Sequence, residues 1–428
     1  MLRINVYAIM IKLLSGISFL LLITSCGTQQ LTKNKLALDK QFIDTELKDA
    51  AKQIKYLASS VKEKDMPTTF SNGKHVNWGT AWWCSGFYPG TVLYLYEYTK
   101  DPALLAEAKT KLKYLEKEKN NKTTHDLGFM LYCSFGNALR ITGDSTAYNN
   151  ILVTGAESLA TRFKESTQTI RSWDGGKNWD GQPWTYPVII DNMMNLEFLT
   201  QATKISGNKK FYDIAVAHAN TTMKNHFRDD FSSYHVIDYN TKNGDVIAKK
   251  TAQGAFDESA WSRGQAWALY GYTMMYRETK DKKYLNQALN IAKFYLNHPN
   301  LPEDLIPYWD MDQNKLNSES IYFKQKDLKD ASTAAVVASA LLELSQYTDS
   351  KRAMFIAKAE KMLQSLSKAP YKAPYKDNGG YILKHSVGSI PHKTEVDVPL
   401  TYADYYYVEA LVRYYNLLNN KPVLSTLD

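Results

Sequence analysis

The chain has 428 residues, with 52 Lys and Arg against 44 Asp and Glu, for a formal charge of +8. No dense Lys/Arg stripe appears, so this surplus is no nucleic-acid footprint and suits an anionic small molecule or surface instead. Only three cysteines are present and the eight His are scattered, which excludes a disulfide framework and any CxxC or zincin metal pattern.

The first element reads as a targeting segment. Arg3 and Lys12 are basic, and Leu13 to Leu22 is an apolar stretch too short for an ordinary membrane-spanning helix. It ends in Leu22-Ile23-Thr24-Ser25-Cys26-Gly27. Small residues before a Cys resemble a bacterial lipobox, which implies cleavage before Cys26, acylation of its thiol and attachment to a membrane of the cell envelope, periplasmic or outer. An ordinary signal peptide with an incidental Cys is the plainer alternative. Removing residues 1–25 takes away two basic residues and no acid, leaving +6. Residues 26–37 are then the acylated Cys and a polar tether, and 38–428 form one domain, with no composition break inside it. Cys84 and Cys133 read as buried thiols.

Twelve helical segments follow, near 40–61, 86–99, 102–117, 127–141, 145–164, 191–206, 209–227, 260–278, 282–297, 331–346, 350–367 and 401–417. The 3.6-residue spacing is plain in Leu104, Leu105, Ala108, Leu112 and Leu115, and in Ile214, Ala215, Ala219 and Met223. A degenerate repeat separates pairs of them: Tyr98-Thr99-Lys100-Asp101, Ile141-Thr142-Gly143-Asp144, Ile205-Ser206-Gly207-Asn208, Glu278-Thr279-Lys280-Asp281 and Tyr347-Thr348-Asp349. Thr, Gly and Asp/Asn there stop one helix and cap the next. The repeat spacing is too uneven for a uniform solenoid. Six helical hairpins closed into an all-α (α/α)6 barrel fit better.

The loops at 62–85, 165–190, 228–259, 298–330 and 368–400 are long and rich in Trp, Tyr, His, Gly and Pro, a composition that marks function. Ser233 to Asp238 and Gly380 to Leu383 read as short strands within them. With 30 Tyr, 9 Trp and 15 Phe in the chain, most aromatics must be core, and the remainder are available to line a cleft.

Two strings place an aspartate at the start of an apolar helical run: His125-Asp126-Leu127-Gly128-Phe129-Met130 and Asp191-Asn192-Met193-Met194-Asn195-Leu196-Glu197. Either Asp alone is readily an N-cap. Together, flanked by aromatic loops, they suggest a carboxylate pair at the mouth of a helical barrel, the usual equipment for acid–base work on a sugar. Arg263 and Trp267 lie four apart, on one helical face, where a guanidinium and an indole suit an anionic sugar ring.

These strings, with Trp82-Trp83-Cys84-Ser85-Gly86-Phe87, Trp261-Ser262-Arg263-Gly264-Gln265-Ala266-Trp267 and Glu395-Val396-Asp397-Val398-Pro399-Leu400, run in an order that resembles the unsaturated glucuronyl hydrolases of glycoside hydrolase family 88. The resemblance spans nearly the whole chain after the leader. It implies an (α/α)6 barrel with no metal and no nucleotide cofactor. The implied substrate is an oligosaccharide bearing a 4,5-unsaturated uronic acid at its non-reducing end. No obligate protein partner is implied.

The implied reaction protonates C4 of the enol ether and adds water at C5, giving a hemiketal that opens and releases the neighbouring sugar. Asp191 is the implied acid/base and Asp126 its partner. His235 and Gln253 match positions that reach the substrate or its attacking water. His125, Trp83, Phe87, Arg263, Trp267 and Trp173 match pocket positions, with Trp179 and Trp184 as substitutes for Trp173. Ser386-Val387-Gly388-Ser389 sits where some relatives recognise a sulfated second sugar, but Pro391 stands where they carry a Lys, and the Gly/Ser composition favours a turn.

Two other readings fit part of the sequence. A hydrolase of unsaturated rhamnogalacturonan disaccharides shares the barrel, and a lipid-anchored glycan-binding protein shares the lipobox and aromatics. The latter gives no reason for Asp126, Asp191, His235 and Arg263 to occur together.

Overall fold

A computed structural model describes residues 36–424. The leader and Cys26 lie outside the described residues, as does nearly all of the tether. Twelve helices are found among the described residues. They are α1 (Lys40–Ser60), α2 (Phe87–Thr99), α3 (Pro102–Leu115), α4, α5 (Ser145–Ala160), α6 (Leu196–Ser206), α7 (Lys209–Asn225), α8 (Ser262–Thr279), α9 (Lys282–Leu296), α10 (Ala331–Leu344), α11 (Asp349–Leu366) and α12 (Thr401–Leu418). Helix α4 is π-helical over Gly128–Gly136 and α-helical over Asn137–Thr142. A 3-10 segment, Ile190–Asn195, leads into α6.

Helices α2, α4, α6, α8, α10 and α12 pack each against the next, and α12 closes on α2. The other six stand outside them, making an (α/α)6 barrel. Burial follows this order. All of α10 is buried, and its Ala-rich sequence lets α8 and α12 approach closely. Outer helices such as α9 bury only one stripe, Tyr284, Gln287, Ala288, Ile291, Ala292 and Tyr295, at the spacing of a helix with one face in solvent.

The repeat seen in the sequence makes the turns from inner to outer helix. Lys100, Gly143, Gly207 and Lys280 end their helices in the left-handed conformation. Asp101, Asp144, Asn208 and Asp281 then cap the next helix through side-chain oxygens 2.9–3.1 Å from its first-turn amides. Each hydroxyl before the turn also accepts from the cap residue's own N–H. Because these turns are tight, every long loop must run from an outer helix back to the start of an inner one. All the long loops therefore gather at the N-terminal ends of the inner helices.

Four small antiparallel sheets shape those loops: β1 (Met66–Ser71) with β2 (Lys74–Trp78), β3 (Phe163–Lys164) with β4 (Thr169–Ile170), β5 (Pro187–Ile189) with β6 (Val236–Tyr239) and β7 (Val246–Lys250), and β8 (Ser386–Ser389) with β9 (Thr394–Val398). The strand expected at 233–238 forms from Val236 onward, since the N–H and hydroxyl of Ser233 are taken by Gln265 Oε1. Residues 380–383 form no strand. The N–H groups of Ile382 and Leu383 go to the Asp404 carboxylate, both at 2.9 Å, and are lost to a ladder. The 386–389 segment is a strand rather than a turn.

The opposite end of the barrel is held by buried ion pairs. Arg277 binds Glu197, Glu278 and Glu343, and Arg413 binds Glu343 and Glu409. Cys84 and Cys133 are buried free thiols, and burial raises both well above the usual thiol range.

Candidate active site

The gathered loops enclose a pocket of about 360 Å³. Its wall includes Trp83, His125, Asp126, Trp173, Asp191, Gln253 and Arg263 from the residues singled out in the sequence. Each stands at or just before the N-terminus of an inner helix, or on a loop folded over it. Trp82, Tyr402, Glu395, Ser389 and His392 also line the pocket.

The two aspartates are tied together by two asparagines that the sequence reading passed over. Asn195 Oδ1 accepts from the Gly128 N–H at 2.8 Å, and a Cβ at Gly128 would lie 2.6 Å from that oxygen. Asn192 Nδ2 donates to Ile170 O and Ser172 Oγ, which fixes its Oδ1 as an acceptor for His125 Nδ1 at 2.8 Å. Nε2 of His125 is left to face Asp126 Oδ1 at 3.3 Å. Asp126 also accepts from the Thr124 hydroxyl at 2.7 Å. The loop before α4 and the 3-10 segment before α6 are thus one hydrogen-bonded unit.

Asp191 is buried, with its Oδ2 free of any hydrogen bond. Burial raises its carboxyl to about 7, with Arg263 opposing and Asp126 adding to the rise. His235 stands behind it, Nε2 lying 3.7 Å from Asp191 Oδ2. Nδ1 of His235 accepts from the backbone N–H of Ala252 and of Gln253. Burial keeps this ring neutral, so its single proton is on Nε2 and points to Asp191.

Arg263 is engaged by the protein itself. It donates to Asp330 Oδ2 at 2.9 Å, to Val387 O and to Gly388 O, and its guanidinium lies over Trp261 and Tyr402. Asp330 is the N-cap of α10 and also takes the Ser332 and Thr333 hydroxyls. Trp267 is not beside the guanidinium. One turn deeper in α8, it is fully buried between Phe129 and Tyr406, and its indole N–H lies near the Asp191 carboxyl. Phe87 packs under Trp83 and Phe129. Phe87 and Trp267 form the floor beneath the pocket, not its wall. Trp173 packs on Trp184, whereas Trp179 is exposed near His392. Gln253 Nε2 donates to Gly388 O at 3.2 Å.

Asp330 and Tyr402 were hidden in the sequence for different reasons. Asp330 looks like any helix cap, and Tyr402 is one of several tyrosines in α12. Glu395 did stand in one of the quoted strings. Among the described residues, no group of three or more His, Cys, Asp or Glu is placed to hold a metal ion.

The chain that carries this pocket is matched in sequence and in fold among known proteins. The profile of Glycosyl Hydrolase Family 88 covers residues 52–417. The chain belongs to this family of glycoside hydrolases. It is 45% identical to an unsaturated glucuronyl hydrolase of Formosa agariphila, over 78% of this chain and 80% of the relative. It is 31% identical to an unsaturated chondroitin disaccharide hydrolase of Streptococcus pneumoniae, over 88% and 93%. A crystal structure of an unsaturated glucuronyl hydrolase specific for heparin superposes with a TM-score of 0.83 at 44% identity, covering 90% of this chain and 100% of that one.

Proposed function

We propose that this family 88 enzyme removes a 4,5-unsaturated uronic acid from the non-reducing end of glycosaminoglycan-type oligosaccharides left by a lyase. The observation that carries the reading is Asp191: a buried carboxyl raised to about 7, with one oxygen unpartnered beside the N–H of a neutral His235. Such a group keeps its proton near neutrality, as a general acid must.

Asp191 delivers that proton to C4 of the enol ether. Positive charge then develops at C5, shared with the ring oxygen. The attacking water's oxygen approaches from the side of Asp191 and His235, whose Oδ2 and Nε2 lie 3.7 Å apart. His235 donates to that oxygen and holds it, while the newly ionised Asp191 accepts its proton as the O–C5 bond forms. The hemiketal opens and the neighbouring sugar departs. Asp126, fixed by the Thr124 hydroxyl, is placed to take hydroxyls of the unsaturated ring. Names of relatives point to chondroitin and heparin fragments, which support a glycosaminoglycan substrate over a pectin-derived one.

The deciding experiment is a panel of unsaturated chondroitin, hyaluronan, heparin and rhamnogalacturonan disaccharides, each followed by loss of the double-bond absorbance. Turnover of the rhamnogalacturonan product alone would replace this reading with its pectin counterpart, and binding without turnover would make the chain a glycan-binding protein.

We also propose that acylated Cys26 anchors the enzyme in the cell envelope. Each buried methylene adds about 0.8 kcal/mol, so several acyl chains hold far more firmly than one. Cys26→Ala should release the protein from membranes or stall its processing. A soluble wild-type protein with an unmodified N-terminus would remove the anchor.

A further inference from the structure

Glu395 stands out in the pocket because nothing in the protein uses its carboxyl. It lies on β9, directly across the ladder from Gly388, between the pairs Ser389–Thr394 and Val387–Val396. A Cβ at Gly388 would lie 2.5 Å from Glu395 Oε2 and 2.6 Å from its Cβ. The side chain therefore reaches inward over a position that only glycine leaves open. Its backbone is in the left-handed region, φ 55°, a conformation that costs free energy for a non-glycine residue and is concentrated at functional sites. The carboxyl lines the same pocket as Asp126 and Asp191. No hydrogen bond to it is found among the described residues, and Arg263 is the cation that acts on it.

The charge balance of the pocket gives this residue a task. Three carboxyls face a ligand that is itself an anion. Arg263, across from Glu395, is already shared among Asp330, Val387 O and Gly388 O. The other titratable groups around the carboxyl are Cys84, Tyr381 and Tyr402, buried and neutral, and His125 and His392 in the pocket wall. A carboxylate at Glu395 would repel a bound uronate, whereas a carboxylic acid would donate to it. Burial favours the acid form, raising this group to about 7.

We infer that Glu395 is a substrate-binding residue that acts as a neutral carboxylic acid, donating its proton in a hydrogen bond to the carboxylate of the unsaturated uronic acid. It thereby sets the upper pH limit of binding, separately from the limit Asp191 sets on turnover. This inference rests on the proposed reaction.

The test compares kcat and KM for an unsaturated glucuronyl disaccharide between pH 5.5 and 8.5. Wild-type KM should be flat on the acid side and rise at least tenfold over the range. In Glu395→Gln, whose amide donates at every pH, KM should change less than twofold while the kcat profile follows the wild type. A Gln variant whose KM climbs as the wild type's does, or is equally high at every pH, overturns the inference. A second measurement needs no variant. The methyl ester of the same disaccharide lacks the carboxylate, so the wild-type KM for it should not rise with pH, and an equal rise would overturn the inference too. If the wild-type enzyme turned over no unsaturated disaccharide, the proposed reaction itself would fall.

Discussion

His235 Nε2 and Asp191 Oδ2 face one another at 3.7 Å, both buried and neither with another hydrogen-bond partner. Buried polar atoms are rarely left unpaired in folded proteins. The imidazole N–H of His235 therefore points at the carboxyl oxygen that the proposed reaction uses. Asp191→Asn preserves the shape and removes the transferable proton. We expect kcat to fall by about 10²–10⁴-fold or more, with KM nearly unchanged. Retention of a tenth of the wild-type rate would remove Asp191 from the acid role.

The same group makes stability depend on pH. An Asp carboxyl in the unfolded chain titrates near about 3.9, whereas burial raises Asp191 to about 7 in the folded state. The folded state thus binds this proton more tightly. Its favourable contribution is complete below the unfolded value and is lost as pH rises through the folded one. Asp191→Asn removes the charge that burial penalises. Its melting temperature should match the wild type at pH 4 and exceed it at pH 8. An unchanged difference across that range would mean that Asp191 is ionised throughout.

The helices were legible because four of the inner and outer pairs are separated by a local signal, a hydroxyl, a left-handed residue and an Asp or Asn cap, that needs no tertiary context. The π-helical form of α4 was not. Its apolar spacing reads as an ordinary helix, and what accompanies the wider coil is the approach of Phe129 O and Met130 O to Gly86 and of Cys133 O to Gly90, partners forty or so residues away. The site was legible where a residue type already implied chemistry, as for Asp126 and Asp191, or where the family resemblance supplied a position, as for His125 and Gln253, and the pocket brings all four together. It was not legible where the role depends on a distant partner. The i, i+4 spacing of Arg263 and Trp267 suggested a pair, but Asp330 and the carbonyls of β8 draw the guanidinium elsewhere. The Asp191 string also ends in Glu197, which serves the far end of the barrel rather than the pocket.

That far end gives a prediction about stability alone. Arg277 contacts Glu197, Glu278 and Glu343, and all four are largely buried. Removing one partner of a buried ionic cluster leaves uncompensated charge, at a cost of about 3–5 kcal/mol. Arg277→Met should lower stability by that order, as measured by denaturant unfolding, and leave KM unchanged in the fraction that stays folded. A loss below about 1 kcal/mol would show that water reaches the cluster and screens it.

The last prediction concerns which bond the enzyme needs. Ordinary glycosidases displace at the anomeric carbon with two carboxyl groups, one of them ionised as base or nucleophile. Here Asp126 is held by the Thr124 hydroxyl, and Asp191 is the aspartate left with an unpartnered oxygen beside His235. One protonated acid beside a neutral imidazole suits proton transfer to a carbon of a polarised double bond, followed by water addition on the same side. A saturated glucuronide disaccharide offers no such carbon. It should bind, because its carboxylate and hydroxyls are retained, and inhibit competitively, but it should not be cleaved at a measurable rate. Comparable kcat values on the saturated and unsaturated disaccharides, measured by release of the reducing sugar, would show that the chemistry is displacement at the anomeric centre. Asp126 would then have to be reassigned as base or nucleophile.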